Sequence, residues 1–174
     1  MEHVQGISAS PGYAVGPVHL VKRLTIVPRR RNIGADEVDG EVERFRGAVD
    51  KARGEIQELV DSLARELAGA ETDIVSSQLL ILEDELVWDA TLEMIRTKLV
   101  NAEAAFGRAV GDIAARFLEI QDATFRERVG DLRDVEQRVL RAFAGVTDDR
   151  IVAPTEPSIV VSHDTASSLT RMWR

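Results

Sequence analysis

Cysteine is absent from the 174 residues, so disulfides and thiolate chemistry are excluded, as suits the cytosol. Long apolar runs are also missing. None approaches the roughly 18 residues that a membrane span needs. The N-terminal MEHVQGISASPG has neither a basic n-region nor an apolar h-region, so no signal peptide is expected. Basic charge is in deficit: 22 Lys and Arg against 30 Asp and Glu give a net charge of -8 and a pI near 5.0. That balance counts against a nucleic-acid binder and favours a basic protein partner or simple solubility. No P-loop, dinucleotide fingerprint, HExxH or GxSxG occurs. His3, His19 and His163 lie far apart without metal-ligand spacing, and no internal repeat or low-complexity tract is seen. No catalytic or metal-binding residue is nominated.

What is present is a soluble, globular composition, 44% hydrophobic and 30% charged, long enough for one medium domain or two small ones. The chain is organised around Ile74–Trp88, IVSSQLLILEDELVW. Free of Gly and Pro, it reads as a helix continuing through Leu92, Ile95 and Leu99, with a kink at the acidic triplet Glu83–Glu85. Leu79–Leu82 are four consecutive apolar residues. At about 100° per residue they cover more than one helix face. Either the helix is buried nearly all round and the run is simply core, or part of it is open to a partner. The acids beside it favour the second reading.

Around this stretch the chain divides into four parts. Residues 1–21 hold a turn at Ser10-Pro11-Gly12 and a strand over Tyr13–Val21, interrupted by Gly16-Pro17. Residues 22–34, KRLTIVPRRRNIG, read as a solvated basic linker. Residues 35–144 are helical. A long first helix carries Val38, Val42, Phe45, Val49, Ala52, Ile56, Leu59, Leu63 and Leu67 on one stripe and ends at Gly69. Asn101 is the candidate N-cap of a later helix, a break falls near Gln121–Thr124, and Gly145 ends the last helix. Short connections make the neighbours antiparallel. Residues 145–174 return to strand character at Ser158–Ser162. The expected fold is mainly α with a small α/β part, an antiparallel bundle of two helical hairpins inserted between two strands of an incomplete α/β domain.

Weaker chemical readings remain. His163-Asp164 sits at a strand end, but Asp164 as an N-cap before Ala166 is the preferred reading. Glu83–Glu85 cannot converge on a metal, because consecutive helical residues diverge. Arg29–Arg31 could touch nucleic acid but reads as solvated. Arg126, Arg128, Asp131, Arg133 and Asp134 read as an exposed ion-pair lattice.

Three segments, in order, resemble enzyme I of the bacterial phosphoenolpyruvate:sugar phosphotransferase system. They are GISASPGYAVGPV near the start, LLILEDELVWDATLEMI in the middle, and FRERVGDLRDVEQRVLR, where Arg128, Asp131, Arg133, Asp134 and Val135 carry the motif. The resemblance implies a helical domain inserted into a phosphohistidine α/β domain. It implies transfer of phosphate from phosphoenolpyruvate through a histidine to the phosphocarrier protein HPr, docked on the helices. The matching docking positions are Gln78, Leu80, Ile81, Asp84 and Glu85 on one helix and Phe117, Ile120, Phe125 and Arg128 on the other hairpin.

The departures from that family pattern are specific. The Gly-Gly-x-Thr-Ser-His motif that carries the active histidine is absent, and His163 precedes its place. The barrel that binds phosphoenolpyruvate and magnesium is absent too. The chain therefore reads as an N-terminal fragment that is inactive alone, needs no cofactor itself, and belongs to a cytoplasmic enzyme using magnesium and dimerising through its C-terminal domain. Gln78 replaces a commonly seen His, and Gly69 and Ala70 stand where acids often occur. With no sensory domain before Met1, the nitrogen-regulatory branch is disfavoured. The alternatives are a stand-alone helical adaptor or regulatory module without phosphotransfer, and a dimerising coiled coil; Gly69 and the Glu83–Glu85 interruption speak against the latter.

Overall fold

The computed structural model describes residues 12–21, 25–66, 72–120, 122–146 and 156–162. Strand β1 (Val18–Val21) is followed by a 3-10 turn (Ala35–Glu37) and five helices. These are α1 (Val38–Glu66), α2 (Thr72–Leu82), α3 (Glu85–Lys98), α4 (Ala102–Glu119) and α5 (Ala123–Ala144); strand β2 (Ile159–Ser162) comes last. The two strands pair in parallel, with Val18 beside Ile159 and Val21 beside Ser162. Among the described residues, the five helices thus fall in chain order between two paired strands of one sheet, which is the insertion topology expected from the sequence.

The chain forms two compact units, one from residues 1–24 with 149–174 and one from 25–148. In the strand unit β1 is shorter than the expected Tyr13–Val21. Pro17 has no N–H to give a ladder, so pairing starts at Val18, where Ile159 N donates to the Pro17 carbonyl at 2.8 Å.

In the helical unit α1 supplies the axis. Val42, Phe45, Val49, Ala52 and Ile56 recur in threes and fours and are all buried. α1 packs on α2 and α5, and α4 on α3 and α5. Phe45 is the centre of the core, with its ring 4.8 Å from that of Trp88 and 5.7 Å from that of Phe106. Burying each such side chain is worth roughly 1.5–3 kcal/mol. Gly145 ends α5 in the left-handed conformation, φ +67°, that glycine adopts without steric cost.

Three expectations change. The organising stretch is two helices rather than one kinked helix: α2 stops at Leu82 and α3 begins at Glu85. Three adjacent acids disfavour continuation, and Asp84 is a better N-cap than an interior residue. The basic stretch is not a free linker from Thr25 onward. Ile33 is buried, Asn32 bridges Val100 in antiparallel fashion, and Ile26 exchanges hydrogen bonds of 2.8 and 3.2 Å with the Gln137 amide. Pro28 lies against Gly107, where a Cβ would stand 3.1 Å from its Cγ. Asn101 precedes α4 but makes no side-chain cap. Its amide instead receives Arg31 N at 2.6 Å and donates to the Arg29 carbonyl at 3.0 Å. The expected stop at Gly69 and the His163–Ala166 segment lie outside the described residues.

Candidate functional site

Two groups of expected docking residues occupy two parts of the helical unit. The first is the knee between α2 and α3. Gln78 stands on the inner side of α2, where a polar side chain is unusual; it is 9% exposed and lies under the surface rather than on it. Leu82, one turn on, is buried as well. Leu80 is about 200° round the helix from both and is 70% exposed. Ile81 is half-buried, and with Leu82, Val87 and Trp88 it borders a small apolar void completed by Phe45, Val49, Phe106, Val110 and Val135.

The knee is fixed by local bonds. Asp84 caps α3, its Oδ1 accepting from Leu86 N at 2.8 Å. The Trp88 indole N–H donates to the Leu82 carbonyl at 2.6 Å, which ties α3 to the last residue of α2. Glu83 is an exposed partner of Arg53 at 3.7 Å. Glu85 is exposed and makes no ion pair among the described residues.

The second group lies at the α4–α5 turn. Phe117 and Phe125 are half-buried and meet edge-to-face, centroids 5.4 Å apart at 73°. Ile120 ends α4 and is 40% exposed. Arg128 is exposed on α5, without an ion-pair partner among the described residues. Phe117 stands two turns, about 10 Å, along α4 from Val110, which borders the same void as Ile81. The shared core therefore links the two groups, and α2 also packs against α5, which carries Phe125.

Two open apolar residues escaped the sequence reading. Leu86, on the first turn of α3, is 69% exposed, and Leu118 is 57% exposed. The signal for Leu86 is helical phase. Val87, Thr91 and Ile95 form the buried face of α3, and Leu86 is off that face once the helix is known to start at Glu85.

At the far end of α3, one helix length or about 20 Å from the knee, the chemistry is ionic. Glu41 on α1 is buried and accepts from Arg31 at 2.6 Å, Arg44 at 2.7 Å and Ala102 N at 2.8 Å. Arg44 also reaches Glu103 at 3.2 Å and lies over the Phe143 ring. Burial works against ionisation of Glu103, but its backbone hydrogen bond and Arg44 outweigh it and hold the carboxyl below the ordinary value. The backbone N–H of Gly34, then Arg31, lower Glu37 in the same way. Arg31 is raised by its bond to Glu37, and Arg44 by its carboxylates against the effect of burial.

Among the described residues no cluster of three or more His, Asp or Glu side chains could hold a metal, and no helix is long and apolar enough to cross a membrane.

Residues 5–128 match the family model of the PEP-utilising enzyme N-terminal domain, and the chain belongs to that family. Within it, the chain is similar to phosphoenolpyruvate-protein phosphotransferases. It is 30% identical over 167 residues to that of Haemophilus influenzae and 32% identical over 169 residues to that of Enterococcus faecalis. Each alignment covers 96% of this chain and 29% of the relative, so the chain spans under a third of their length. A solution structure of an enzyme I protein superposes with a TM-score of 0.78 at 26% identity, covering 93% of this chain and 65% of that one. A structure described as the N-terminal domain of the nitrogen form of enzyme 1 shares the fold at 24% identity and a TM-score of 0.66.

Proposed function

We propose that this chain is the carrier-docking part of a phosphoenolpyruvate-protein phosphotransferase and that its helical unit binds the phosphocarrier HPr. The observation that carries the reading is Leu80. Leu80 is 70% open at the end of α2, five residues before Glu85, which is exposed and without an ion pair among the described residues, and covering it with a partner would release apolar surface from water. Leu80, Ile81, Glu85, Phe117, Ile120, Phe125 and Arg128 make up the surface, with Gln78 beneath it and Asp84 holding the turn. A partner with an apolar centre and a basic rim is complementary to it. The apolar part supplies most of the affinity and the charges speed encounter.

In the parent enzyme, phosphate would pass from phosphoenolpyruvate to a histidine and on to HPr, in the cytoplasm, with magnesium bound in a separate domain and a homodimer formed there. The present chain contributes docking. It has no Gly-Gly-x-Thr-Ser-His segment to accept phosphate.

The test is an NMR titration with HPr. Leu80→Asp and Phe125→Asp are each expected to abolish saturable shifts while the helical circular dichroism persists. Both side chains leave surface to solvent, so the bundle should still fold. Unchanged HPr affinity in both variants would reject the site.

A further inference from the structure

The knee carries three consecutive acids between two open leucines, and the structure divides the labour among them unevenly. Glu83 is engaged by Arg53, and the Asp84 carboxylate is occupied by Leu86 N. Asp84 and Glu85 are both exposed without an ion pair among the described residues, and Glu85 accepts no hydrogen bond there either. On either side, Leu80 and Leu86 are open to nearly the same extent, 70% and 69%. They project from the last turn of α2 and the first turn of α3, six residues apart in sequence across a joint fixed by the Trp88–Leu82 bond.

We infer that Leu86 is a second leucine contact for the docked carrier and that Asp84 is a positioning residue, capping α3 so that Leu86 is held beside Leu80. This rests on the docking reading above and sharpens the partner's chemistry: its face at the knee is apolar over both leucines, with a cation opposite Glu85. Removal of a well-covered leucine costs on the order of a tenfold loss in affinity. Asp and Asn cap helices about equally well and Ala caps poorly, so the two roles open to Asp84 separate cleanly.

The experiment measures HPr affinity calorimetrically at two salt concentrations for the wild-type chain and four variants, with thermal midpoints recorded for each. Leu86→Ser is expected to weaken binding about tenfold with the salt dependence unchanged. Glu85→Gln should lose much of the salt dependence. Asp84→Ala should weaken binding several-fold, and Asp84→Asn should recover most of that loss although it removes the charge. Wild-type affinity in Leu86→Ser, or equal losses in the two Asp84 variants, would overturn the inference and leave the docking reading standing. Absence of saturable binding by the wild-type chain would remove both.

Discussion

Two turns of the helical unit begin alike and end differently. Each puts a short polar residue ahead of a helix, Asp84 before α3 and Asn101 before α4. Asp84 caps its own helix, and the turn around it stays bare, with Leu80 and Leu86 open. Asn101 gives its amide to the crossing segment at Arg29 and Arg31, and Ala102 N is capped from a distance by Glu41. That turn is sealed: Ile33, Val100 and Asn101 are all buried. A cap satisfied within its own turn leaves the turn's surface free. A cap supplied from elsewhere in the chain covers the turn and joins three segments. One end of α3 is therefore sealed by bonds from three segments, and the other keeps its apolar surface open to solvent.

The contrast predicts where stability resides. Glu41→Ala should have the largest effect, because it removes three charge-assisted acceptor contacts and leaves Ala102 N buried without its acceptor. A loss of about 3 kcal/mol is expected in urea denaturation, with HPr affinity of the folded fraction retained. Next comes Trp88→Phe, which keeps the ring against Phe45 but deletes the indole bond to Leu82. It should cost about 1 kcal/mol, and it should weaken HPr binding because the knee loses its tie. If Trp88→Phe were the more destabilising of the two, the division between a sealed end and a bare end would be wrong.

Much of this fold was legible in the sequence, and the reasons are physical. The α1 stripe from Val42 to Ile56 follows the 3.6-residue period, and those residues are buried. The strand–helices–strand order followed from the change in composition at either end. What periodicity could not show is which polar side chain bonds which backbone group. Asn101 has an N-cap's position and sequence context, yet its amide is taken by a segment 70 residues away. The basic stretch looked solvated because Arg29, Arg30 and Arg31 are exposed, as they are here. Its burial is carried by Ile33 and its backbone bonds, which a charge count does not register. At the candidate site the open leucine Leu80 was legible as an excess of apolar residues on one turn. Leu86 was hidden because its phase depends on a helix start that three acids obscured, and Leu118 because the core runs out before α4 does.

The smallest effect concerns acid. Glu37 and Glu103 have carboxyls held below the ordinary 4.5 in the folded chain. A group depressed on folding contributes stability that is complete above its unfolded value and is lost as the pH falls through its folded value. Stability should therefore be flat from neutral pH down to about 4.5 and decline below it as the Arg31–Glu37 and Arg44–Glu103 pairs are neutralised. Glu37 is solvent-exposed and Glu103 only partly covered, so screening keeps the contribution small. Urea midpoints at pH 7, 4.5 and 3.5 would measure the decline. Arg44→Met should shallow it, because Glu103 then loses the guanidinium that lowers it. A decline already complete at pH 5 would instead point to carboxyls raised on folding, the opposite of what these pairs impose, and the ionic end of α3 could then no longer be credited with the acid sensitivity.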